Sequence, residues 1–135
     1  MSETIRTYRD EDLDTCRELW VELTEWHRSI YNSPGIGGND PGLQFDEHLT
    51  KVGPGHIWLA EINGTAVGMV GLIHDAAEGS VEVEPLIVRP DARGRGIARR
   101  LIDIVVEATR AFGVRDVNVR AVGRNAEAIL PRPRL

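Results

Sequence analysis

The apolar run Val81 to Val88, the turn Arg89 to Gly96 and the amphipathic stretch Ile97 to Phe112 form one unit. A short apolar run ended by turn residues reads as a buried strand. Ile97, Leu101, Ile104, Val105, Ala108 and Phe112 recur at helical spacing, and Gly113 follows as a C-cap. A strand therefore passes through a glycine turn into a helix. Such a turn presents free backbone N–H groups at the positive end of a helix dipole, an arrangement that binds anions. Arg93, Arg95, Arg99 and Arg100 crowd the helix start, where a cation costs about 0.3–1 kcal/mol. A phosphate completing the site accounts for that charge; the alternative is a solvated basic surface that tolerates it.

Pro85 interrupts the strand that feeds this turn. Proline cannot donate to a sheet ladder and belongs at an edge or a bulge. The spacing predicts a bulge near Glu84-Pro85-Leu86, twisting this strand away from its parallel neighbour. The backbone groups so released suit an extended ligand carrying amides. The alternative is a strand that ends early.

Elsewhere the pattern predicts a strand over Thr4 to Arg9 and a helix over about Leu13 to Ile30, capped by Asp10 or Asp12. A glycine-rich loop and a weak helix near Phe45 to Leu49 follow. Asn63-Gly64 joins two strand patterns, His56 to Ile62 and Thr65 to His74, as a hairpin. Gly68 and Gly71 point to close backbone approach. Val114 to Val122 reads as a last strand, parallel to Val81–Val88, and another helix opens near Asn125. The fold class is α/β (α+β): a mixed, mostly antiparallel sheet with helices on both faces.

A chain of 135 residues, 41% hydrophobic and 27% charged, reads as a single domain over 1–135. Its net charge of −5 argues against a nucleic-acid or membrane partner. No apolar run approaches the ~20 residues of a membrane span. The start, Met1-Ser2-Glu3-Thr4, lacks the basic and apolar segments of a signal peptide, so a cytoplasmic location is expected. Cys16, the sole cysteine, reads as a core residue, as do Trp20, Trp26 and Trp58. The four histidines show no metal-ligand spacing, and no metal is expected.

Val83 to Ala98 resembles the acyl-CoA-binding signature of the GNAT superfamily of N-acetyltransferases. There the pattern Arg/Gln-x-x-Gly-x-Gly/Ala is carried by Arg93, Gly96 and Ala98, after Leu86-Ile87-Val88. Ile5 to Leu13, the Asn63-Gly64 hairpin and Asn125 to Ile129 also resemble family segments, so the likeness spans nearly the whole chain. It implies acetyl-CoA as cosubstrate. Arg93, Gly94, Arg95, Gly96, Ile97, Ala98 and Arg99 would hold the pyrophosphate. Leu86, Ile87 and Val88 would pair with the pantetheine amides, and Asn125 joins the coenzyme-binding set.

The resemblance further implies direct attack of a primary amine, of a small molecule or a protein, on the thioester. Glu84 matches a glutamate that serves as base in some members; Glu82 is the second candidate on the same strand face. The backbone N–H of Val88 would meet the oxyanion. Glu25, Asp40, Asp46 and Glu47 lie where a cationic acceptor would dock. The family's usual tyrosine acid falls at Arg132, and the family's last strands are expected to be missing beyond Pro131. Two further expectations follow: a catalytically weakened acyl-CoA-binding sensor or partner subunit as the alternative function, and a homodimer formed through an open sheet edge.

Overall fold

The computed structural model describes residues 3–33, 35, 38–75, 77, 79–111 and 116–119. In chain order they form β1 (Glu3–Thr7), α1 (Leu13–Tyr31), α2 (Gly42–Val52), β2 (Ile57–Ile62), β3 (Thr65–Asp75), β4 (Ser80–Val88), α3 (Ile97–Arg110) and β5 (Asp116–Val119). The strands make one sheet in the order β1-β2-β3-β4-β5. Its first three pairings are antiparallel and β4–β5 is parallel. The mixed sheet is therefore the one expected. The Asn125 helix, Arg132 and the missing last strands lie outside the described residues, as do Phe112 and Gly113.

Hairpin chemistry sets the β2–β3 register. Asn63 and Gly64 both have positive φ, 51° and 82°, as a two-residue turn between Ile62 and Thr65 requires. Helices cover both faces. Val70, Leu72, Val81, Val83 and Val88 pack with Ile97, Leu101 and Val105 of α3. On the opposite face, Leu59, Met69 and Ile87 pack with Cys16 and Leu19 of α1 and Phe45 of α2. Each such side chain contributes about 1.5–3 kcal/mol on burial. The α3 stripe is wider than expected, since Ile102 and Thr109 are fully buried and Ile104 only partly. The weak helix around Phe45 is also longer than its apolar pattern, because Arg17 of α1 forms an ion pair with Asp46 and anchors it.

The predicted bulge is present. Pairing runs from Val70↔Leu86 to Leu72↔Val83, so two steps along β3 match three along β4. Gly71 lies opposite the extra residue, and the Glu84–Pro85 peptide bond is cis. A Cβ on Gly71 would collide with the Glu84 carbonyl oxygen and stand 3.1 Å from Pro85 Cδ. Gly71→Ala is expected to cost about 2–3 kcal/mol by overpacking against a backbone that cannot yield, seen as a lowered urea midpoint at unchanged m.

Candidate active site

The bulge changes which β4 side chains meet which helix. Val81 and Val83 pack toward α3, so Glu82 and Glu84 alternate to the α1/α2 face. Past the bulge the parity reverses: Leu86 and Val88 pack toward α3, and Ile87 toward α1 and α2. Both glutamates are half-buried beneath the two helices.

Parallel pairing with β5 joins Ser80–Val83 to Asp116–Val119 and, among the described residues, reaches no further along β4. That described pairing ends just before the bulge. Arg89 N–H donates to Val67 O at 2.8 Å, toward β3. Successive residues of a strand direct their backbone groups to alternate edges, so the N–H and C=O of Val88 point away from β3. The side chain of Arg93 crosses there, its Nε donating to Val88 O at 3.0 Å. Its guanidinium also lies 5.7 Å from the centre of the Trp26 ring. Trp26 therefore stands half-buried against Arg93, not in the core as its type suggested.

Beyond Val88 a 3-10 turn, Pro90–Ala92, leads to Arg93 and into the glycine turn. Gly94 and Gly96 have φ of 83° and 77°, left-handed values that side chains disfavour. Gly96 caps α3, and the first intrahelical bond runs from Arg100 N–H to Gly96 O at 3.1 Å. The N–H groups of Ile97, Ala98 and Arg99 thus lie in the unpaired first turn. Arg95 and Arg99 are exposed around it. Arg100 departs from the expected cluster, forming an ion pair with Glu3 of β1. Two arginines therefore flank the turn, Arg93 braces it and Arg100 ties the sheet edge to α3.

Two histidines that the sequence pattern left unassigned stand near Glu84. His27, half-buried on α1, has its pKa lowered by burial, opposed by the charge of Glu84. Its ring lies 5.9 Å from Trp26 and 6.4 Å from the exposed Tyr31. His48 of α2 is buried beneath the bulge, and burial pushes its pKa down to about 4, so it is neutral at physiological pH. Inward helical spacing (Leu23 to His27, Phe45 to His48) was the available signal. The thiol of Cys16 is pushed up to about 12 by burial, which makes it an inert core group.

The carboxylates expected at the acceptor side are partly engaged in structure. Asp46 is held by Arg17. Glu18 and Glu22 hold Arg89 at 3.6 and 3.3 Å, fastening the end of β4 to α1. Asp40 lines a separate cavity of about 380 Å³ with Arg17, Val21 and Leu43. Asn125 lies outside the described residues.

Residues 18–129, which include the bulged strand and the glycine turn at the start of α3, match the model of the "Acetyltransferase (GNAT) family". The chain belongs to that family. A mycothiol acetyltransferase of Beutenbergia cavernae is 35% identical over 130 residues, covering 93% of this chain and 42% of the relative. An acetyltransferase of Pectobacterium atrosepticum is 36% identical over 101 residues, covering 73% of this chain and 61% of the relative. The chain thus spans about two-fifths and three-fifths of these two relatives. The GNAT fold is seen again in the PaiA N-acetyltransferase of Thermoplasma acidophilum, solved in complex with coenzyme A. That structure has a TM-score of 0.74 and 18% identity, covering 95% of this chain and 84% of the other. Among the described residues of this GNAT chain, no helix is long and apolar enough to cross a membrane.

Proposed function

We propose that the chain transfers the acetyl group of acetyl-CoA to a primary amine of a small molecule or a protein. The observation that carries this reading is the course of β4, which is bulged at Glu84–Pro85 and leads from Val88 through one 3-10 turn into the Gly94/Gly96 turn of α3. An elongated ligand with amides at one end and a diphosphate at the other suits that path. Backbone N–H groups of Gly94 to Arg99 would take the pyrophosphate, with Arg95 and Arg99 beside it. Leu86, Ile87 and Val88 would border the pantetheine arm. Arg93 already bonds the Val88 carbonyl, so the Val88 N–H is the group left to face the thioester oxygen.

In the chemical step the amine nitrogen bonds to the thioester carbon, the C–S bond breaks and coenzyme A departs as its thiolate. The amine's proton passes to Glu84, directly or through water, because an ammonium is no nucleophile. Glu82, one alternation earlier on the same face, is the second candidate. A homodimer through the outer edge of β5, a cytoplasmic setting and Asn125 as a coenzyme contact belong to the same proposal.

The test is thiol release from acetyl-CoA across a panel of amines, beside calorimetric titration with coenzyme A. Gly96→Asp places a carboxylate where the diphosphate would lie and is expected to weaken coenzyme A at least about tenfold, or 1.4 kcal/mol. Unchanged heat in that variant removes the phosphate assignment. Coenzyme A binding without thiol release from any amine leaves the reading of an acyl-CoA-binding sensor or partner subunit.

A further inference from the structure

His48 stands directly under the residue assigned as base, and what it does there rests on that assignment. We propose that His48 is a positioning residue: its Nε2–H holds the Glu84 carbonyl at the bulge and so fixes the direction in which the Glu84 side chain leaves β4.

Three elements converge on the space that Gly71 leaves by lacking a side chain. A Cβ there would touch the Glu84 carbonyl oxygen from β4 and His48 Nε2, 2.9 Å away, from α2. The ring nitrogen and the carbonyl thus face one gap, and glycine at 71 lets them do so. His48 is 7% exposed. Its ring is packed 5.2 Å from Trp20 of α1, and Trp20 in turn stacks edge-on against Phe45. Nε2 has no well-aligned hydrogen-bond partner among the described residues, although the Glu84 carbonyl is near enough to act on the ring's protonation. A buried imidazole nitrogen left unpaired is unfavourable, and a slight settling of the bulge onto the ring removes that cost. Burial and Lys51 on the same helix keep the ring uncharged, so it can donate from one nitrogen without carrying a charge into the core.

The bulge is the one point on β4 where backbone direction is not fixed by paired ladder bonds. A base attached there depends on whatever restrains the carbonyl beside it. A misplacement of about 1 Å costs about 10²-fold in rate. The neutral ring therefore acts through Glu84, without touching substrate.

Two variants separate positioning from packing. His48→Phe keeps a ring against Trp20 and removes the donor; His48→Gln returns a donor without the ring. With acetyl-CoA and an accepted amine, His48→Phe is expected to lower kcat about 10- to 100-fold while KM for acetyl-CoA stays within about twofold. His48→Gln should recover most of that loss. In a Glu84→Gln background, His48→Phe should change kcat less than about twofold, because the two residues act as one unit. Equal losses in both backgrounds, or no loss in the folded Phe variant, overturn the proposal. Should Glu84→Gln itself leave kcat unchanged, the base assignment fails, whatever His48 does. Should the Phe variant not fold, or no amine be accepted, 15N NMR of the unaltered protein decides. A neutral ring with its proton on Nε2 and coupling to the Glu84 carbonyl carbon is expected. A proton on Nδ1, or a charged ring at neutral pH, overturns it.

Discussion

Glu84→Gln is expected to lower kcat by about 10²–10⁴-fold, the usual weight of a positioned proton acceptor, with coenzyme A affinity unchanged. The side chain lies on the α1/α2 face of β4, at the bulge. The amide is nearly isosteric with the carboxylate, so packing against α1 and the bulge geometry survive, while the group can no longer accept the amine's proton. Coenzyme A contacts assigned to the Gly94/Gly96 turn are not touched. Steady-state thiol release and calorimetry together check both halves. Unchanged turnover in Glu84→Gln with a loss in Glu82→Gln would move the role one alternation along the strand. Unchanged turnover in both variants would leave the reaction to the substrate's own free amine.

Arg6→Ala is expected to destabilise the chain by about 3–5 kcal/mol, the cost of leaving a buried carboxylate without its partner. Arg6 Nη1 and Nη2 each donate to Asp12 at 2.8 Å, and Nε donates to Glu61 at 3.0 Å. The Asp12 side chain is 9% exposed, and it also accepts the Arg9 N–H at 2.7 Å. This network knits β1 to β2 and to the start of α1. Asp12 stands at the first position before α1, where a capping role was expected, yet it makes no side-chain cap bond. The bond to the Arg6 guanidinium is the main cause holding the Asp12 carboxyl below its usual range. A carboxylate with a lowered folded pKa adds stability that is complete above its unfolded value of about 3.9 and is lost as pH falls through the folded one. The parent and the Arg6→Ala variant should therefore differ most at neutral pH and converge in acid. Thermal unfolding at neutral pH should show a drop of about 10 °C or more, and a drop of a degree or two would show the pair to be replaceable by solvent.

Much of the half proposed to bind coenzyme A was legible because its signals are local. Gly94 and Gly96 sit at positive φ within one turn, the helix that follows announces itself by periodicity, and Pro85 marks an interruption in a strand it cannot help pair. Each is a property of residues a few positions apart, so order along the chain is enough. The half proposed for the acceptor was less legible. Asp46 reads as a free loop carboxylate until α1 brings Arg17 against it. Trp26 reads as core until Arg93 lies over its ring, and His48 reads as an isolated histidine until Gly71 and the Glu84 carbonyl are placed before it.

The residues alone determined the order of strands and helices, the Asn63-Gly64 hairpin, the glycine turn and the presence of a bulge at Pro85. Backbone preferences and hydrophobic periodicity act between near neighbours, and those features need nothing more. Only the folded sheet decided which face Glu84 takes, that two helices bring imidazoles beside it, and that Arg6 meets Glu61 across 55 positions of chain. Such contacts depend on strand register and helix rotation, which are set by packing of the whole core, and a one-residue bulge reverses them without altering any local pattern.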